Sequence, residues 1–311
     1  MDFTKRELNI PKLIFLALVP MILYYLLRDI VYMVIVYAST FLIKNDAKSV
    51  ISDVVSSTDA EHFSELIIQT INENSMYILA VVQLVIIPIM FAIFKSDFIQ
   101  RRNEGRLYKY SFKNILPKYL FIIGFGIAVM YFGNVLISFV SFFLPQSSID
   151  KFTEVNDTLY SGSIFIQFFT IVIGAPIMEE LVVRGLVYNR VKDYLGAIWA
   201  AVVSAVLFGV MHGNIVQGLY ATIVGLALAF VYERYKSLWA PIFMHATCNL
   251  ASFGLTYLVQ YISTDEVETQ AEMTYEYATQ FIYVIGVSGV IAIVFAALIY
   301  FFVKPVACDN V

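Results

Sequence analysis

Apolar residues fall along this chain in long runs divided by short charged stretches. Eight runs are long enough to be read as bilayer crossings: 11–43, 76–94, 119–144, 163–178, 197–211, 218–232, 238–261 and 281–303. A helix of about 20 apolar residues spans the hydrocarbon core. In lipid each backbone polar group must bond within its own segment, so helices are the form these runs predict. The first run is too long for a simple span and carries Arg28-Asp29 in its middle. It reads as one tilted or broken helix in which neighbouring opposite charges partly neutralise each other, with two separate passes as the alternative. The pattern predicts an all-α fold, a polytopic transmembrane bundle of about eight spans.

The connecting stretches alternate in charge. Segment 95–118 holds seven Lys and Arg against two acids, whereas 44–75 holds two lysines against six acids. Segment 145–162 has one lysine against three acids, and 262–280 has five acids and no base. Cytoplasmic loops are enriched in Lys and Arg. That rule puts 95–118, 184–193 and 234–236 in the cytoplasm together with both termini, and eight spans alternate correctly with those signs. The N-terminus is basic and then apolar, but no small-residue cleavage site follows, so an uncleaved first span is expected. Thr58 and Glu61 fit a capping box. Phe63, Leu66, Ile67, Thr70 and Ile71 then recur at helical spacing, predicting an amphipathic helix on the outer face that also carries His62.

Composition agrees with a membrane protein. The 311 residues are 60% apolar and 14% charged, against about 45–50% and about 25% in soluble domains. Twenty basic and 24 acidic residues leave a net charge of −4, with no basic excess for a nucleic-acid partner. Cys248 and Cys308 offer no disulfide framework. The last four residues, from Cys308, have the length of a prenylation box but polar middle positions. Three regions follow: 1–160, a transmembrane part without a motif; 161–260, which holds the candidate chemistry; and 261–311, an outer acidic loop and last helix. Together they read as one structural domain.

Ionisable residues inside apolar segments cost roughly 2.5–3.5 kcal/mol each at a span centre, and three groups of polar residues stand between 179 and 249. In Glu179-Glu180-Leu181-Val182-Val183-Arg184, Glu180 and Arg184 are four apart and can pair on one helix face. Glu179, rotated by about 100°, has no partner at that spacing. His212 ends the run from Ala197, with Phe208 four residues before it. Gly209 and Gly213 flank it at a spacing that lets helix backbones approach. His245 and Asn249 share a helix face. Two hydrogen-bonding side chains on one face inside a membrane require a polar partner or a cavity. A carboxylate, two histidines and an amide can together deprotonate a water and stabilise an oxyanion.

The order E-E-x-x-x-R, F-x-x-x-H, H-x-x-x-N, here Glu179, Glu180 and Arg184, Phe208 and His212, and His245 and Asn249, resembles the CPBP (CAAX protease and bacteriocin-processing, or Abi) family of intramembrane endopeptidases. The motifs cover 179–249 and, with flanking helices, 163–260. The resemblance implies peptide-bond hydrolysis in a membrane cavity open to the cytoplasm, in a bacterial plasma membrane, on membrane-bound peptide or protein substrates. Carried over, Glu179 and His212 activate water, His245 and Asn249 stabilise the oxyanion, and Glu180, Arg184 and Phe208 are structural. The family is often labelled a metalloprotease. If zinc is bound, Glu179, His212 and His245 are the ligands. The histidines lack the H-E-x-x-H arrangement that fixes ligands on one helix, so a metal-free mechanism is favoured and no cofactor is expected. The alternative function is a non-proteolytic membrane regulator or immunity protein that uses the same cavity to bind a peptide or partner. A transporter would require paired broken helices and repeated halves, which the sequence does not show.

One geometric tension accompanies this reading. His212 would lie ~24 Å along a straight helix from Gly196, but His245 only ~11 Å beyond Leu238. The two meet only if the first helix starts low, tilts, or belongs to a hairpin that does not cross fully.

Overall fold

All eight apolar runs fold as helix. The computed structural model describes residues 6–50, 71, 73–106, 118–262 and 275–303. Among these residues there are nine helices and no strand: α1 (Ile10–Val50), α2 (Ser75–Asn103), α3 (Tyr119–Ser141), α4 (Gln146–Leu159), α5 (Ile164–Leu195), α6 (Ala197–Val210), α7 (Ile215–Tyr235), α8 (Trp239–Ile262) and α9 (Tyr275–Phe302). The outer helix expected from Thr58, with His62, and the C-terminal box from Cys308 lie outside the described residues.

Among the described residues six helices are long and apolar enough to cross a membrane: Ile10–Ala38, Ser75–Asn103, Tyr119–Ser141, Ile164–Leu195, Ile215–Tyr235 and Ile282–Phe302. The other two runs of the expected eight are α6 and α8. With 14 residues, α6 is about 21 Å long, short of a hydrocarbon core of about 30 Å. α8 has 24 residues, but His245 and Asn249 dilute its apolar character. The first run is one helix through Pro20 rather than two passes, and Arg28 pairs with Asp29 at 2.7 Å.

Two stretches read as loops from their charges are helical. The acidic segment 145–162 contains α4, which buries none of its residues. Arg184, placed in a cytoplasmic loop by its charge, is instead fully buried within α5. Its burial is possible because Glu180 supplies the countercharge one turn away.

The bundle centres on α5. α6 packs closely on α7, α3 holds both α8 and α9, and α1 and α2 lie against α5. The buried centre combines Ile86 and Met90 of α2, Val182, Val183 and Leu186 of α5, Leu228 of α7 and Met244 of α8, all at 0% exposure. α2 approaches α5 at two glycines: a Cβ on Gly174 would overlap the Gln83 side chain, and one on Gly185 would lie 2.8 Å from the Phe94 ring.

Candidate active site

Both carboxylates come from α5, in the short α-helical segment Ala175–Glu180. Wider π-helical segments flank it, Phe168–Gly174 before and Leu181–Tyr188 after. π turns take carbonyls out of the usual i to i+4 register and are frequent at functional sites. Neighbouring side chains use the carbonyls of the first π segment. Gln83 Nε2 of α2 donates to the Thr170 carbonyl at 3.2 Å, and Asn249 Nδ2 of α8 donates to the Ile171 carbonyl at 2.8 Å.

Glu180 and Arg184 pair as their spacing predicts, with Nη1 to Oε1 at 2.8 Å and both side chains at 0% exposure. Arg184 Nη2 also donates to the Gly225 carbonyl of α7 at 2.8 Å. Its guanidinium carbon sits 4.9 Å from the centre of the Phe208 ring, a cation–π arrangement. Glu180 Oε1 faces His245 Nδ1 at 3.1 Å, while His245 Nε2 lies 3.7 Å from Glu179 Oε2. The adjacent acids differ in access, since the Glu179 side chain keeps 19% exposure.

His212 joins this group through the α6–α7 hairpin. It follows the end of α6, and its Nδ1 lies 2.9 Å from the Phe208 carbonyl. The Phe208 ring packs edge-on against His212 at 5.0 Å and against His245 at 5.6 Å. The two histidines thus meet across the Phe208 ring, one from the turn after α6 and the other from α8. The flanking glycines do different work from the close helix approach expected of both. Gly209 does pack against α7, where a Cβ would overlap Thr222 Oγ1 and lie 2.5 Å from the Gly218 carbonyl oxygen. Gly213 has φ +70° and open space around it; it forms the turn, in a conformation that glycine adopts without penalty. Asn214 then caps α7, its side chain accepting from the Gln217 amide at 2.8 Å.

Hydrogen-bond partners fix how each polar group presents itself. A carbonyl oxygen only accepts, so His212 Nδ1 carries hydrogen and neutral His212 offers a lone pair at Nε2. A carboxylate likewise accepts from His245 Nδ1–H. His245 can then donate through Nε2 only as the doubly protonated ring. Asn249 spends one amide hydrogen on Ile171 and keeps a second.

All of the expected site residues except Asn249 thus stand in one contact network around Phe208 and Glu180. Asn249 is one turn from His245 on α8 and anchored to α5. Among the described residues no group of three His, Cys, Asp or Glu side chains stands close enough together to hold an ion in this structure.

Two contributors went unread in the sequence. Tyr25 of α1 donates to the Met211 carbonyl at 2.6 Å, bracing the residue before His212, and it lies with Tyr24 within electrostatic range of Glu179. Gln83, 1% exposed, ties α2 to the first π segment. The signal for both was present: Tyr24, Tyr25 and Arg28 share an apolar run, and Gln83 is an isolated amide in another.

The fold is an all-helical bundle with long apolar helices that brings carboxylates, histidines and an amide together, and comparison with known proteins points to membrane proteases. Residues 161–251 match the family described as type II CAAX prenyl endopeptidase Rce1-like. Over this segment the chain is similar to CAAX-type membrane proteases. It is 34% identical over 74 residues to "Putative membrane peptidase YdiL" of Bacillus subtilis (strain 168). That alignment covers 24% of this chain and 30% of the relative. No solved structure matches.

Proposed function

We propose that this protein hydrolyses peptide bonds of membrane-associated peptides or proteins with water activated by Glu179 and His212. The observation that carries this reading is the division between adjacent acids. Glu180 is fully buried and committed to Arg184 and His245, whereas Glu179 is reachable beside the same imidazole.

In the proposed reaction Glu179 takes a proton from water while the His212 Nε2 lone pair orients that water. The hydroxide adds to the substrate carbonyl carbon. The oxyanion receives hydrogen bonds from His245 Nε2–H and the second Asn249 amide hydrogen, as donors placed where charge develops stabilise it. The proton then passes from Glu179 to the amide nitrogen as the C–N bond breaks, giving a carboxylic acid and an amine, and the acid's proton passes to the amine to leave a carboxylate and an ammonium group. Glu180, Arg184 and Phe208 hold the histidines in place. No step runs through a metal, and elemental analysis of active protein is expected to find no stoichiometric zinc. Zinc lost and regained together with activity would overturn this mechanism.

The loop charges support both termini and the cavity mouth facing the cytoplasm, and the similarity to a Bacillus subtilis protein supports a bacterial plasma membrane. Comparative mass spectrometry of membrane peptides from cells carrying wild type or Glu179→Gln tests the function. Fragments present only with wild type are expected. Identical peptide sets at equal protein levels would favour a non-proteolytic regulator that binds a partner in the same cavity.

A further inference from the structure

A cavity of about 590 Å³ opens where α2, α5 and α7 end and α6 and α8 begin. None of Glu179, Glu180, His212, His245 or Asn249 lines it. Its polar wall carries four cations, Arg101, Arg106, Lys192 and Lys236, and three carboxylates, Asp97, Asp193 and Glu233, an excess of one positive charge. Arg101 is held by Asp193 at 2.7 Å and by Asp97 at 3.0 Å. Arg106 lies 3.4 Å from Asp193. On the opposite side two lysines converge on one acid: Lys192 Nζ reaches both Glu233 oxygens at 2.7 Å, and Lys236 contacts Glu233 as well.

Lys236 is set there at a conformational cost. Its φ of 53° makes it the one non-glycine with positive φ among the described residues, at a helix terminus where glycine or asparagine is usual. Burial, and then the neighbouring Lys192 charge, pull its ammonium down to about 8. An added anion would relieve that crowding. The remaining wall is apolar and turned outward, with Trp199 at 60% and Trp239 at 64% exposure. A soluble anion would use only the cationic side, whereas an amphiphile with an anionic head uses both. Basic pockets between helices on the cytoplasmic side are where acidic headgroups bind, and tryptophan favours the headgroup level.

We propose that this cavity binds an anionic phospholipid, with the phosphodiester on the Lys192–Lys236 side and the acyl chains along the tryptophan wall. The proposal rests on the membrane placement argued above for this end of the bundle, and it is independent of peptide cleavage. The site adjoins the candidate active site through Asn189, whose Nδ2 donates to the Arg184 carbonyl at 3.1 Å.

The chain has two tryptophans, and both line this cavity, so intrinsic fluorescence of the purified full-length protein in nonionic detergent reports on it. Titration with dihexanoyl-phosphatidylglycerol is expected to give a saturable change. Half-saturation should come well below that for dihexanoyl-phosphatidylcholine, and inorganic phosphate should neither reproduce the change nor compete. Lys236→Asn, which accepts the left-handed backbone, and Lys192→Gln should each weaken the phosphatidylglycerol response by about fivefold, the worth of one basic residue near an acidic membrane surface. Equal responses to the two lipids, or unchanged titrations in both variants, would overturn the proposal. So would a phosphate response equal to that of phosphatidylglycerol, which would define a free-anion site instead. If the variants fail to fold, the three-ligand comparison on wild type decides alone. A protein inactive toward peptides leaves each of these outcomes readable.

Discussion

Asn249 is the residue whose presentation depends most on its surroundings. One amide hydrogen is committed to the Ile171 carbonyl, and the second is the one available to an oxyanion. Losing an oxyanion donor typically lowers turnover about 10²–10³-fold. Asn249→Ala is therefore expected to lower kcat by that order with little change in KM, in steady-state kinetics on a peptide identified by the mass-spectrometric comparison. A raised KM with unchanged kcat would make Asn249 a substrate-binding group. Glu180 plays the opposite part. Removing one member of a buried ion pair costs about 3–5 kcal/mol because the other charge is left uncompensated, and here Arg184 would be left so. Glu180→Gln is expected to lower the melting temperature and the yield, with activity surviving per folded molecule.

At the scale of helices, the α6–α7 hairpin sets the position of His212. Gly209 faces the Gly218 backbone, and a carbonyl oxygen cannot rotate away as a side chain can. Overpacking of this kind costs about 1–3 kcal/mol. Gly209→Ala is expected to lower thermal stability and, by displacing the turn, activity as well. A melting temperature equal to wild type would show that the hairpin is looser than described. Much of this level was legible in the sequence. The apolar runs gave the helices, the four-residue spacing gave the Glu180–Arg184 pair, and the turn residues allowed a hairpin. The π segments of α5 were not legible, because a run of apolar residues reads the same through an α or a π turn. Nor was the burial of Arg184, because local charge counts do not register a countercharge, a carbonyl from α7 and an aromatic face that arrive only on folding. The Tyr25–Met211 contact joins residues 186 apart in sequence, and no local pattern encodes it.

For the molecule as a whole, the proposed sidedness rests on loop charge. Asn103 ends α2 next to Arg101 and Arg102, whereas Thr153 lies on the exposed, acidic α4. The proposed orientation puts Asn103→Cys on the cytoplasmic side and Thr153→Cys outside. An impermeant maleimide applied to intact cells should label the second and spare the first until the membrane is permeabilised. The reverse pattern would invert the bundle, and labelling of both from outside would break the alternation of spans. Sidedness also separates the two sites. The basic end of the bundle carries the proposed lipid cavity, and the Glu179 group sits farther along α5 between the π segments.

The central claim is that Glu179 performs chemistry while Glu180 holds the site together. The most direct test compares the cleavage rate per folded molecule for wild type, Glu179→Gln and Glu180→Gln, purified and reconstituted with one membrane peptide. Folding is read from thermal melts of the same samples. Cleavage abolished in Glu179→Gln at a wild-type melting temperature, with measurable cleavage in a destabilised Glu180→Gln, is the predicted result. An active Glu179→Gln at normal yield beside an inactive Glu180→Gln would contradict the account.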